Sequence, residues 1–273
     1  MSTAFIADAT EFTPQRDLLK WSGLAWFTVA AIGQLAFIAF IAVFYGVSIF
    51  TGDFAAWNEK PLIEGHVEGD STGNTMFAAH VLIAAVMTLS GLMQLVPGIR
   101  ARAPLFHRIS GRTFISTAIL LAFGGLWLVW VRGTYLSLVG AVSGTLNALL
   151  IIGFAAAALF FAINRQIDQH KRWALRLFMV ANGVWFLRVG MMAWMMLAGG
   201  PLGMNRTMSG PADVVLLFGC YLIPVAVLQL YFMAQDSASE WRKHAVSGVV
   251  FASTGVMALG IFGTVAFMWG PYW

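Results

Sequence analysis

His80, His107, His170 and Arg188 are the side chains of this sequence best equipped for chemistry, because each is a polar group in or beside a long apolar run. His80 opens the stretch HVLIAAVMTLSGLMQLVPGIRARAPLFHRISGR, which ends at Arg112 and carries His107 and four arginines in its second half. A shorter likeness of that half, HKRWALRLF, spans His170 to Phe178. Two neutral imidazoles facing each other across a bundle are a common way to ligate b-type haem (heme b), and Arg108, Arg112 and Arg176 would suit its propionates. The same arginines, with Arg172 and two helix N-termini, would equally hold a lipid phosphate. Topology alone also collects basic residues at such a boundary. A divalent metal would want a third or fourth protein ligand, and only Asp168 is close in sequence.

Arg188 is the sharpest anomaly. It lies about fourteen residues into its apolar segment, where a charge costs roughly 2.5–3.5 kcal/mol on insertion scales. The 12 acidic residues all fall in loops or near segment ends, so the partner of Arg188 must be an amide, a carbonyl, a water-filled cavity or a bound anion. His80, Asn147 and Tyr221 sit at similar depths on other segments. Facing inward, they would line a polar pocket with Arg188, with Asp213 near its mouth. Such a pocket would take a haem ligand, a quinone headgroup or a small polar solute; the plainer reading is a histidine bonded to a neighbouring helix. Gln34 and Gln94 are explained by hydrogen bonds between helices, and His66 and His244 read as solvated loop residues.

The elements that must position these groups are membrane helices. The chain is 59% hydrophobic and 10% charged, against about 25% charged for a soluble domain, so lipid is its solvent. A spanning helix needs roughly 20 apolar residues. Seven segments qualify: Gly23–Phe50, Thr75–Ile99, Thr113–Val131, Gly140–Asn164, Trp173–Ala198, Ala212–Ala234 and Val246–Trp269. Their runs are continuous rather than alternating, which disfavours a transmembrane barrel. Lys and Arg crowd alternate loops, while the opposite loops hold only Lys60, Arg132 and Arg206. This predicts a cytoplasmic N-terminus and an outside C-terminus. Residues 1–22 are expected to be a cytoplasmic segment and 23–273 a single membrane domain with its core at 75–198. The charged N-terminal residues and the long apolar run after them point to a retained anchor rather than a cleaved signal.

The first outer loop is long and acidic and reads as a solvated lid with little regular structure. The likeness between His107–Phe114 and His170–Phe178 suggests two hairpin repeats about an axis along the membrane normal. Gly144/Ala148, Gly153/Ala157 and Gly248/Ala252 are spaced for close helix approach, and Pro224 is expected to kink its helix. Cys220 is the single cysteine, so an intramolecular disulfide is excluded. No phosphate-cradling loop, paired-carboxylate site or nucleophile elbow is present, which disfavours a hydrolase or a nucleotide-driven pump. The net charge of +4 is topological and does not point to nucleic acid.

The ordered set His80, Gly91-x-x-Gln94, Arg100, His107-Arg108-x-x-Gly111-Arg112, His170-x-x-Trp173-x-x-Arg176 and Leu187-Arg188 resembles a bacterial family of predicted membrane proteins, domain of unknown function 2306. The resemblance covers Met76 to Met233. The chain departs from the family's pattern at Ala174, where Met is frequent, and at Val225 and Gln229, where Asn and Glu are, which weakens any proton-carrying role for the sixth segment. The resemblance implies that the marked positions form a shared set. The histidine-bearing bundle is also broadly similar to the b-type cytochromes, by analogy of fold alone.

These observations predict an all-α, polytopic seven-helix bundle in a bacterial inner membrane. The function they favour is redox: binding of b-type haem or quinone in electron transfer, alone or as a subunit of a larger complex, with a quinone or a redox partner complex as partner. His107 and His170 would be iron ligands, and His80 and Arg188 would serve the outer pocket. A transporter or channel for a small polar or anionic solute is the rival, with His80, Asn147 and Arg188 in its path. A structural subunit of a larger membrane complex, its first and seventh helices facing membrane lipids or a partner, is the third reading.

Overall fold

The computed structural model describes residues 18–59, 64–96 and 98–272. The described residues are largely helical and include no strand. Among the described residues six helices are long and apolar enough to cross a membrane, and a bent pair, counted as one span, would make seven. They are α1 (Leu18–Thr51), α2 (Ser71–Leu95), α3 (Pro104–Trp130), α4 (Leu138–Ile163), the bent pair α5 (Ile167–Ala181) and α6 (Gly183–Ala198), α7 (Pro211–Gln235) and α8 (Glu240–Tyr272). Most of the expected segment 1–22 and Lys60 lie outside the described residues. Leu18–Ser22 already belong to α1.

Several helices start before their apolar runs. α3 begins at Pro104, nine residues before the segment read from hydropathy, so His107, Arg108 and Arg112 are helical. Hydropathy marks the hydrocarbon, whereas the helix continues into the headgroup layer, where Pro at its first position costs no hydrogen bond. Asp70 caps α2 by accepting from the Gly73 N–H at 2.8 Å, and Ser137 caps α4 through the Gly140 N–H at 3.2 Å. These caps satisfy donors that the first helical turn leaves free. His244, read as a loop residue, lies in the first turns of α8.

The segment expected as one span at Trp173–Ala198 is two helices meeting at 56°. The break falls at Asn182-Gly183, two poor helix formers. The Asn182 side chain donates to the Phe178 carbonyl at 2.8 Å, competing with the helix ladder. α3, its counterpart in the expected repeat, runs unbroken. α1 and α8 each carry a π-helical stretch, Ile41–Gly46 and Thr264–Trp269. The stretches adjoin, with the Phe40 and Trp269 rings stacked at 5.5 Å.

α2 packs along α3, α4 on α5, and both α1 and α6 on α8. The close approaches are not at the expected small-residue pairs. A methyl group added at Gly144, Gly153 or Gly248 would meet nothing within 4 Å. Tight contacts fall instead at Gly33, against Trp185 and Ile261, and at Gly260, against Val189. Spacing alone does not say which face of a helix is buried. The loop between α1 and α2 has more order than expected. A 3-10 turn spans Phe54–Asn58. Asn58 bonds both ways to the His66 backbone at 2.7 and 3.0 Å, and the His66 ring stacks on Phe54.

Candidate functional site

A cavity of about 1350 Å³ occupies the half of the bundle under the α1–α2 loop. Its walls are single faces of helices: Gly140, Gly144, Asn147, Ala148 and Ile151 on α4 repeat at helical spacing. His80, Ala84 and Thr88 do the same on α2. The mouth carries Glu64, Asp70, Arg132 and Arg206, and the deep end carries Asn182 and Arg188. Arg188 lies ten residues before Ala198, the end of α6, about 15 Å at 1.5 Å per residue.

Several polar atoms of the deep part lack partners among the described residues. His80 Nδ1, Asn147 Oδ1 and Asn182 Oδ1 are buried and unbonded. The His80 ring lies against two glycines of α3: a methyl group at Gly124 would stand 3.3 Å from its Nδ1, and one at Gly125 3.6 Å from its Cε1. The Asn147 amide fits against Gly183 at the helix break, where a methyl group would be 2.9 Å from its Nδ2. Arg188 donates from Nη1 to the Val184 carbonyl at 3.1 Å and lies 5.7 Å over the Phe37 ring. Tyr45, carried on the π stretch of α1, lines the same cavity and is within electrostatic reach of Arg188. Leaving such groups unbonded in hydrocarbon is costly, whereas a ligand or water in the cavity would satisfy them.

The mouth carries a polar cluster around Arg132, whose Nη1 is buried and unbonded. Arg132 Nε donates to Asp70 Oδ2 at 2.9 Å, and its Nη2 donates to Asn74 Oδ1 at 2.8 Å and to the Gly65 carbonyl at 3.2 Å. The Arg132 side chain is only 6% exposed. The Gly73 N–H, and then the Arg132 guanidinium, hold the Asp70 carboxyl below the usual carboxylate range.

Between the cavity and the basic end the bundle is filled. Leu92, Phe114, Ala155, Leu177, Phe178 and Val180 are each no more than 4% exposed, and they lie a turn or two beyond the cavity-lining residues of their helices. Tyr221 and Asp213 do not line the cavity. Tyr221 is buried with its hydroxyl donating to the Ser143 carbonyl at 3.3 Å. The Oδ2 of Asp213 accepts from the Asn205 and Gly210 N–H groups at 2.9 and 3.0 Å. Tyr221 shares the depth of the pocket but not its face, and Asp213 is spent on the start of α7.

At the basic end His107 and His170 are within electrostatic reach of each other. His170 Nδ1 lies 2.9 Å from the Ala158 carbonyl, to which it must donate, so Nε2 is left as an acceptor. His107 Nδ1 is buried and unbonded. Gln94 donates to the His107 carbonyl at 3.1 Å and to Ser110 Oγ. Arg172 grips Asp236 with two bonds, holding that carboxyl below its usual range. Arg176 donates to Gln229 at 2.7 Å and stacks over Trp173 and Phe232. These two arginines tie α5 to α7, while Arg108 and Arg112 are exposed. Among the described residues no group of three or more His, Cys, Asp or Glu side chains is placed to hold a metal ion.

The sequence pattern of the predicted membrane protein family DUF2306 matches residues 77–232, more than half of the chain. The chain belongs to this family. It is an integral membrane protein. The DUF2306 segment supplies His80, Asn147, Asn182 and Arg188, whereas Tyr45 and Asp70 come from outside it. No curated protein and no solved structure is significantly similar.

The sequence reading does not single out Asn182 or Tyr45, and it uses Arg132 only for topology. Asn-Gly inside an apolar run is a turn signal and would have marked Asn182. Tyr45 carries no such mark, because a tyrosine near a span end is ordinary belt composition.

Proposed function

We propose that this protein binds a quinone-class ligand in the cavity beneath the α1–α2 loop and serves membrane electron transfer. One observation carries the reading: His80, Asn147 and Asn182 hold buried, unbonded polar atoms and join Arg188 in lining one cavity whose walls are otherwise largely apolar. A quinone head is a planar ring with two carbonyl acceptors and an apolar tail. Arg188 and the His80 imidazole supply donors for those oxygens. In the reduced form the oxygens carry hydrogens, and Asn147 Oδ1 and Asn182 Oδ1 supply acceptors. A site with both kinds of partner holds either oxidation state. With the basic end in the cytoplasm, the cavity opens outward.

A second reading rests on the other pair. The bond from His170 Nδ1 to a backbone carbonyl is the kind that orients a ligating imidazole and leaves Nε2 for iron, and His107 is near. Ligation of a b-type haem there would place an electron relay at the basic end, on the same side as Arg108 and Arg112. When bound, the haem supplies one-electron chemistry. The chain's own part is to orient His170 through Ala158 and to keep His107 on a helix fixed by Gln94.

The transport alternative requires a path past Arg188, and the packed layer from Leu92 to Val180 stands against one in this conformation. Calorimetric titration of the purified protein in nanodiscs with a short-tailed benzoquinone tests the favoured reading. Saturable binding to the wild type is expected, weakened about tenfold or more in Arg188→Gln, as for loss of a charge-assisted bond. Binding that is absent, or indifferent to Arg188, would remove the proposal.

A further inference from the structure

Charge is not balanced along the cavity. At the mouth Asp70 pairs with Arg132, and Glu64 shares the opening with Arg206. At the deep end Arg188 is the one guanidinium or carboxylate among the lining residues. Among the described residues no Asp or Glu pairs with it. Asp213, in the first turn of a neighbouring helix, does not line the cavity; its Oδ2 accepts from backbone N–H groups and its Oδ1 is buried and unbonded. The contacts of Arg188 are one carbonyl of its own helix, the face of Phe37 and the nearby Tyr45. Only one of its five N–H groups is spent in that way.

We infer that the ligand of this cavity is an amphipathic monoanion whose flat, two-oxygen head sits on Arg188 and whose apolar body lies along the cavity walls. This rests on the reading that the cavity holds the ligand, and it names the ligand's charge. A guanidinium is planar and matches a two-oxygen head with parallel N–H bonds. An anion also cancels the one uncompensated charge at mid-depth, which a neutral head would leave buried and unpaired. The Asn147 amide N–H groups and the His80 imidazole can then donate to the edges of the head without adding charge. Two chemical sources carry such a head: a long-chain carboxylate, and the enolate of a 2-hydroxyquinone.

Matched pairs separate charge from shape. Dodecanoate is compared with dodecan-1-ol, and a 2-hydroxy-3-alkyl-1,4-naphthoquinone with its methyl ether, by calorimetry in zwitterionic nanodiscs at neutral pH. In at least one pair the anion is expected to bind about tenfold or more tightly than its neutral partner. That preference is expected to shrink to about twofold in Arg188→Gln. The wild-type comparison needs no variant, so a folding defect in Arg188→Gln does not blunt it. Preference in the carboxylate pair alone would support the anion and remove the quinone; preference in the naphthoquinone pair would support both. Neutral members binding as well as the anions would overturn the inference while leaving the cavity a binding site. No binding in either pair would overturn both. An anion preference unchanged in Arg188→Gln would overturn the assignment to that residue.

Discussion

Gly260→Ala is a one-carbon change that wedges α8 away from α6 beside Arg188. The added methyl group would overlap the Val189 carbonyl oxygen and stand 2.8 Å from Val189 Cγ1. The obstacle is backbone, so no rotamer change relieves it. Restoring ordinary separation requires the helices to part by roughly 1 Å at that point. Overpacking of this kind costs typically about 1–3 kcal/mol, and a rigid backbone contact belongs near the upper end. The gain in helix propensity on replacing glycine offsets about 1 kcal/mol, leaving a net loss of about 2 kcal/mol. For a chain of this size that lowers the melting temperature by about 4–8 °C. Thr264 Oγ1, which bonds the Gly260 carbonyl at 2.6 Å and approaches the Arg188 carbonyl at 3.4 Å, would be disturbed as well. Cys220 is the sole cysteine and is half-buried, so a thiol-reactive dye reports unfolding, all variants being heated at one scan rate. Gly248→Ala and Gly255→Ala on the same helix are the controls, because a methyl group there meets nothing within 4 Å. They are expected to melt at or above the wild-type temperature. Gly260→Ala melting with these controls would refute the assigned helix contact.

Gly144→Phe is expected to block quinone titration, because Gly144 lines the cavity and nothing stands within 4 Å of an added first carbon, with a melting curve to check that the fold is kept; equal binding would move the ligand out of this cavity. Asp70 and Asp236 have carboxyls held below their usual range, so the stability they contribute is present above the unfolded value of about 3.9 and is lost as pH falls through their folded values. Asp70→Asn keeps a capping side chain but loses the charge facing Arg132, so melting temperature followed from neutral pH into the acid range should fall less steeply than in the wild type; an identical slope would detach the Asp70–Arg132 cluster from acid stability. For the pair at the basic end, an optical spectrum of protein expressed with ample haem should show a Soret band that His170→Ala abolishes, and a band untouched by that change would place the iron elsewhere.

Arg188, His80 and Asn147 were legible because a charge or amide inside an oily run must find a partner, and depth can be counted along a helix. Rotation about the helix cannot be counted so well. Tyr221 has the right depth but turns to Ser143, and Gly144 and Gly248, which look like packing glycines, face open space. The break in the fifth span was hidden because hydropathy averages over Asn182-Gly183, although that dipeptide is where the ladder is weakest. Helix starts were displaced for a related reason: hydropathy locates the hydrocarbon, and His107, Arg108 and Arg112 belong to a helix that extends past it. The order of the loop between α1 and α2 depends on Arg132 reaching back over sixty positions to Gly65 and Asp70, a link that no local pattern encodes.

Organic extraction of the purified protein, with the lipophilic molecules it retains quantified by mass spectrometry, tests the central claim most directly. The account predicts that wild-type protein carries a quinone-class molecule in near-stoichiometric amount and that Gly144→Phe protein, prepared identically, has lost it. Equal retention by the two proteins, or none in either, would contradict it.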